Sequence, residues 1–172
     1  LFCLVGCDEN QFTDIIDENW TQDPVVCLED TTPVTFKKVA YWTPDDSDNL
    51  ELINFSSLTH INYASIVFNE DATLVTPDDI EPLEDLILLA QAQNVKVGIS
   101  LGEWEDADNG NFNTIAGDKT LTKNFVSNIS DFIEEYELDG VDINWQAINS
   151  EDESDNLQQL LEALSDELKE QG

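Results

Sequence analysis

The chain has no methionine and no arginine, only one histidine, and three cysteines. Basic charge is equally scarce: six lysines stand against 38 acidic residues, for a formal charge of -32. A field of that sign repels phosphate backbones and anionic headgroups, so nucleic acid is disfavoured as a partner and a neutral substrate is favoured. The sole histidine, His60, enters an apolar stretch, which leaves no Ser-His-Asp triad to assemble and makes a satisfied core or rim histidine the default. No G-x-G-x-x-G follows the first predicted strand, so a dinucleotide-binding fold is unsupported. The run Asp106-Ala107-Asp108-Asn109-Gly110 has some of the acidic spacing of a calcium loop, but its glycine sits one place early and its twelfth position is Gly117 rather than Glu. It is read as a polar loop, and neither a metal nor a cofactor is expected.

What is present is a globular composition. Hydrophobic residues make up 41% of the chain, including eight Phe and four Trp, and 172 residues suffice for one domain with a core. That length is short for a complete eight-stranded barrel. The acidic runs Asp45-Asp46-Ser47-Asp48 and Glu151-Asp152-Glu153-Ser154-Asp155 read as solvated faces.

The opening Leu1-Phe2-Cys3-Leu4-Val5-Gly6-Cys7 turns abruptly acidic at Asp8, with no initiator Met and no basic leader, as the tail of a clipped signal peptide would. Leu4-Val5-Gly6-Cys7 resembles a bacterial lipobox, in which small residues precede a cysteine that is lipidated after cleavage. The alternative is a short apolar strand that happens to hold two cysteines. On the lipobox reading, residues 1–7 are a signal remnant, Cys7 carries a lipid anchor to a membrane, and the protein belongs to the bacterial cell envelope, lipid-anchored or secreted. Cys27 would then be the one thiol left, which rules out an internal disulfide and a Cys-based zinc site. Residues 8–35, acidic and without sustained periodicity, suit a tether.

From about Phe36 the pattern alternates. Strands are predicted at 38–42, 60–68, 95–101 and 139–145, with a short helix or turn at 49–57 and helices at 79–93, 120–137 and 155–169. Pro82 falls in the first turn of its helix, where proline is tolerated. Phe125, Ile129, Phe132 and Ile133 make an apolar stripe on the next helix. Strand and helix in alternation predict an α/β fold with a parallel sheet under helices, either doubly wound or part of a barrel. In both, sites lie at the carboxyl ends of strands. Polar or small residues fall there: Tyr41 and Trp42, Ser65, Ser100 and Gly102, and Asp142 with Asn144 and Gln146. Period-two alternation puts Asp142, Asn144 and Gln146 on one face and Val141, Ile143 and Trp145 on the other. A polar face turned into a barrel displaces the branched residues that normally fill it, a cost that marks function. The plainer alternative is a half-exposed strand showing its polar face to water.

Four stretches in order resemble glycoside hydrolase family 18, the chitinase family: Val39-Ala40-Tyr41-Trp42, Leu58 to Ala64, Lys96 to Gly102, and Leu138 to Gln146. The resemblance implies a partial (β/α)8 TIM barrel, roughly the first four βα units, over residues 36–172. It also implies chitin or an N-acetylglucosamine oligosaccharide as partner, with Tyr41, Ser100, Gly102 and Glu103 as substrate-binding positions. In that family the last Glu of the fourth-strand motif protonates the glycosidic oxygen while the substrate's own N-acetyl group attacks, helped by the motif's last Asp, an exception to the two-carboxylate scheme of most glycosidases. By motif position the catalytic residues are Asp139, Asp142, Asn144 and Gln146, and the last two carry amides where the family has acids. The resemblance therefore implies a glycan-binding domain impaired in catalysis. The alternatives are an active chitinase or endo-beta-N-acetylglucosaminidase in a native full-length form, and a non-functional truncated product. Further departures are Glu103 in place of a second Gly and Ser65 in place of Phe.

Overall fold

The computed structural model describes residues 36–44, 50–102 and 111–171. The readings made for Cys7, for the 8–35 tether, for Glu103 and for the 106–110 loop lie outside these residues.

Four parallel strands, β1 (Val39–Trp42), β2 (His60–Phe68), β4 (Lys96–Leu101) and β5 (Gly140–Ile143), lie side by side in the order β1-β2-β4-β5. A two-residue β3 (Leu74–Val75) folds back antiparallel onto the end of β2. Each parallel strand pairs with the next one in the chain, without the reversal that defines a doubly wound sheet. Successive right-handed crossovers in one direction put the helices on one face and curve the sheet as in a barrel. The α/β fold with a partial barrel is thus what forms.

The covered face carries Ile61 and Tyr63 of β2 and Val97, Ile99 and Leu101 of β4, all buried. Against it pack three helical layers of one core: Leu83, Leu86 and Ala90 of α1 (Glu81–Gln91), Phe125 and Ile129 of α3 (Lys119–Glu135), and Leu160 and Leu164 of α4 (Glu151–Gln171). The spacings of three and four residues are those that bring side chains onto one helical stripe. α3 starts where the Asp118 carboxylate accepts the Thr120 and Leu121 N–H groups at 2.8 and 3.0 Å, satisfying two orphan donors.

Besides the unpredicted β3, three elements differ from expectation. A six-residue α2 (Asn111–Ala116) precedes α3 and buries Phe112 and Ile115. The last strand stops at Ile143 rather than running to Trp145. The final helix begins at Glu151, not near Asp155, because its first turn is tied to the residues before it: Ser150 Oγ accepts the Glu153 N–H at 3.2 Å, and the Glu153 carboxylate accepts the Asn149 N–H at 2.6 Å. The acidic run read as a solvated face is therefore also a first helical turn, where carboxylates complement the helix dipole.

Strand register is anchored at the amino end of the sheet. Asp139, just before β5, accepts the Val97 N–H at 2.8 Å and pairs with the Lys96 ammonium across β4. Its own N–H donates to Val97 O at 2.7 Å. Asp139→Ala leaves the N–H of the fully buried Val97 without its acceptor, a loss of about 1–3 kcal/mol. Lys96→Ala removes a cation that is 61% exposed and costs about 0–1 kcal/mol. Thermal unfolding of both variants checks this ordering; equal effects would show that the ion pair, rather than the backbone contact, anchors the register.

Candidate functional site

Residues paired across a parallel sheet point to the same side, so the register defines, row by row, the face that no described helix covers. The lowest row is Val39, His60 and Lys96. The next is Tyr41, Asn62, Gly98 and Gly140, and above it lie Ala64, Ser100 and Asp142. Beyond the last row the chain continues through Asn144 and Gln146 at the carboxyl end. A hollow of about 310 Å³ opens over the lower part of this face, lined by Lys37, Tyr41, Asn62, Lys96, Asp139 and Asp142 among others.

The rows fit because one member is a glycine. A Cβ at Gly98 would stand 2.7 Å from Asn62 Oδ1 and 3.0 Å from Gly140 O. Only an absent side chain leaves room for the Asn62 amide. Ser100 is buried and its hydroxyl donates to Asp142 Oδ2 at 2.7 Å. Burial lifts the Tyr41 phenol above its ordinary value of 10.0, and the neighbouring Asp142 carboxylate lifts it further by penalising a second negative charge; a hydrogen bond with Asn62 acts the other way. Tyr41, Asn62, Ser100 and Asp142 thus form one polar cluster.

At the carboxyl end, Gln146 Nε2 donates to Asn144 Oδ1 at 2.6 Å, so the two amides face the same side. The segment that carries them is held from behind. Asn144 N–H donates to Leu101 O at 2.9 Å, extending the ladder past the end of β5. Trp145 stacks on Phe112 with ring centroids 5.4 Å apart and planes within 8° of parallel, and Phe112 meets Phe68 edge-on. Gly102 adopts φ +118, and a Cβ there would lie 2.9 Å from Asn144 O and 3.2 Å from the Phe112 ring. Gly102 therefore supports the site through its backbone, by letting the 144–146 segment approach, and offers no side chain to a ligand.

Of the residues singled out from sequence, the fold brings Tyr41, Ser100, Asp142, Asn144 and Gln146 to one face or its upper edge. Asp139 lines the amino end of the same hollow rather than that edge. It sits at the opposite end of the strand, roughly 10 Å of extended chain below Asp142, engaged with Lys96 and Val97. Asn62 and Phe112 are the residues sequence reasoning missed. Period-two alternation from His60 already pointed Asn62 to the polar face, whereas nothing in the sequence pairs Phe112 with Trp145. His60 lies in the lowest row, its Nδ1 2.8 Å from Thr59 Oγ1. A larger hollow of about 620 Å³ opens beside Glu134, Glu137 and Asp139, but at the amino end of the strands, away from this cluster. Among the described residues no group of His, Cys, Asp and Glu is arranged to hold a metal.

With that geometry in hand, the comparisons are concordant. The family model described as glycosyl hydrolases family 18 matches residues 37–172. Probable chitinase 10 of Drosophila melanogaster is 28% identical over 101 residues, covering 56% of this chain and 4% of that protein. A chitinase-like effector of Moniliophthora perniciosa is 27% identical over 114 residues, covering 63% of this chain and 26% of the effector. Among solved structures, a mutant of Group II chitinase catalytic domain 2 from Ostrinia furnacalis in complex with (NAG)5 superposes with TM-score 0.68 at 25% identity, over 80% of this chain and 41% of that one. A chitinase from Bacteroides thetaiotaomicron superposes with TM-score 0.66 at 29% identity, over 76% and 42% respectively. The chain thus spans about two fifths of these solved chains and a smaller share of these two relatives.

One test of the cluster is spectroscopic. In Asp142→Asn the charge that raises the Tyr41 phenol is gone, so Tyr41 should ionise closer to 10.0 than in the wild type. Ultraviolet titration of both proteins, each compared with its Tyr41→Phe counterpart to isolate this one of three tyrosines, reads the shift. An unchanged Tyr41 titration would show that the two groups do not sense each other.

Proposed function

We propose that this chain, which belongs to glycosyl hydrolases family 18, is a chitinase-like domain that binds N-acetylglucosamine-containing glycans without cleaving them. The observation that carries this reading is the amide pair at the carboxyl end of β5, where Gln146 donates to Asn144 at 2.6 Å. At the family's general-acid position an amide has no acidic proton to give a departing glycosidic oxygen. Losing a positioned general acid costs roughly 10²–10⁴ in rate, or about 3–5 kcal/mol of barrier. Asn144 compounds the loss, because a neutral amide stabilises a developing oxazolinium cation less than a carboxylate does. Both replacements keep the shape of the acids they stand for, and the donor-to-acceptor direction between them is the one a protonated acid and a carboxylate would adopt. A groove that keeps its shape and loses its proton is suited to holding a sugar chain.

The glycan-binding half of the proposal is supported by the polar cluster of Tyr41, Asn62, Ser100 and Asp142 on the face that no described helix covers. Solved relatives crystallised with chitin oligosaccharides point the same way. A sugar offers hydroxyls and an acetamide, and this face offers hydroxyl, amide and carboxylate partners in rows about 6–7 Å apart.

The expected outcome is no measurable release of chromophore from an N-acetylglucosamine oligomer by this chain. Asn144→Asp combined with Gln146→Glu should raise turnover, and either change alone should raise it far less, since both groups serve one transition state. Clear hydrolysis by the pure unmodified protein would refute the loss of catalysis.

A further inference from the structure

We propose that a second copy of this chain covers the two open edges of the sheet, β5 of each copy pairing with β1 of the other, so that two half barrels close one ring. The polar face of each copy then gains the opposing wall it lacks alone. The proposal stands whether or not the groove holds a glycan.

Among the described residues β1 is paired on one side only, with β2, and β5 on one side only, with β4. Lys38 O accepts the Thr59 and His60 N–H groups at 2.9 and 3.1 Å, so Lys38 turns its backbone groups toward β2. In a parallel ladder alternate residues bond to opposite neighbours, which leaves the N–H and C=O of Val39 and Tyr41 aimed at the open edge. Folded proteins pair or cover such an edge. A barrel of this kind closes with eight strands, and the described sheet supplies four, all parallel. Two copies related by a two-fold axis along the barrel supply the rest, keep every strand parallel and use the same two edges twice, so the assembly stops at two.

The two edges match in charge and in apolar surface. At the amino end of β5 lies the hollow of about 620 Å³, lined by the apolar Ile133, Leu138 and Leu168 and by Glu134 and Glu137. Neither of those two carboxylates has an ion-pair partner among the described residues. The chain's one adjacent pair of lysines, Lys37-Lys38, stands directly before β1 and follows Phe36, which is 79% exposed. Alternation carried back from Ala40 and Trp42 turns Phe36 and Lys38 toward the helical side. Alongside β5 of another copy, that places an aromatic ring near the apolar wall of the hollow and an ammonium near its carboxylates. The helical layer agrees. Covering segments of a barrel follow the strand order, so the segment 50–57 after β1 of one copy comes next to α4 of the other. Leu52 in that segment is 79% exposed, and α4 turns Leu157 and the 46% exposed Leu161 into a hollow of about 550 Å³ on its outer face. The formal charge of -32 on each copy opposes association. At about 0.15 M salt, however, charges more than about 8 Å apart are largely screened, while pairs in contact still attract.

The test is the mass of the full chain by light scattering over a dilution series at that salt, where a species of twice the chain mass is expected. Lys37→Glu with Lys38→Glu should weaken the dimer by about tenfold or more, and so should Glu134→Lys with Glu137→Lys. Mixing these two variants should restore a one-to-one pair, because each junction then joins opposite charges again. Lys119→Glu with Lys123→Glu makes the same change in net charge as the first variant but at the start of α3, and should leave the dimer intact. A monomer at every concentration overturns the proposal and leaves the edges to another occupant. A dimer that neither edge variant weakens, or that all three variants weaken alike, also overturns it, as does growth beyond two copies. Circular dichroism checks that each variant folds; should one edge variant unfold, the other, set against the Lys119 and Lys123 control, decides.

Discussion

Everything at the candidate site depends on the register between β4 and β5. In a strand successive side chains alternate faces, so a slip of one residue would turn Asp142 toward the helices and Val141 into the groove. The register is held from below by one carboxylate: Asp139 takes the Val97 N–H and the Lys96 ammonium together, while its own N–H returns to Val97 O. From that point the rows are set by counting, and Ser100 meets Asp142 because Val97 met Asp139. The mirrored pairing of Gly98 with Gly140 keeps the row between them clear for Asn62.

Such an arrangement divides labour along a single strand. The amino end of β5 carries an anchoring contact, the middle carries a carboxylate aimed at the groove, and the residues past its carboxyl end carry two amides. The sheet's other face does the packing. Val97, Ile99 and Leu101 are fully buried against the helices, while Gly98 and Ser100 between them give the uncovered face small or polar surface. An interior layer of branched side chains would stabilise the sheet more, so the polar face is a cost that binding must justify. The aromatic stack of Trp145 on Phe112 shows how the amides are kept in place without any side chain of the groove doing the holding.

Much of this was legible in the sequence. β2 was read at its observed limits and β4 within one residue, because both are long, rich in β-branched residues and bounded by polar turns. The alternation through Asp142 named the polar face correctly. The remaining features were not legible for physical reasons. α2 and β3 are too short to show a period, so their existence depends on contacts made only in the folded chain. The start of α4 was missed although Ser150 and Glu153 have the spacing of a capping box, since the surrounding acidic run resembled a solvated face. Asp139 and Asp142 share a motif in sequence, whereas a strand of ordinary rise sets them at opposite ends of the sheet. Asn62 was overlooked because its strand looks apolar as a whole, and its role emerges only from the row it shares with Tyr41 and Gly98.

The central claim, that the carboxyl end of the uncovered face is where a glycan sits, is tested most directly by nuclear magnetic resonance of the side-chain amides. In the nitrogen-labelled chain, titration with a chitin oligomer should shift the amide signals of Asn62, Asn144 and Gln146. The amide of Gln91, which donates to Glu137 O at the amino end of the sheet, should stay where it is. Movement of Gln91 with Asn144 and Gln146 unchanged would contradict the account and put the ligand at the wrong end of the fold.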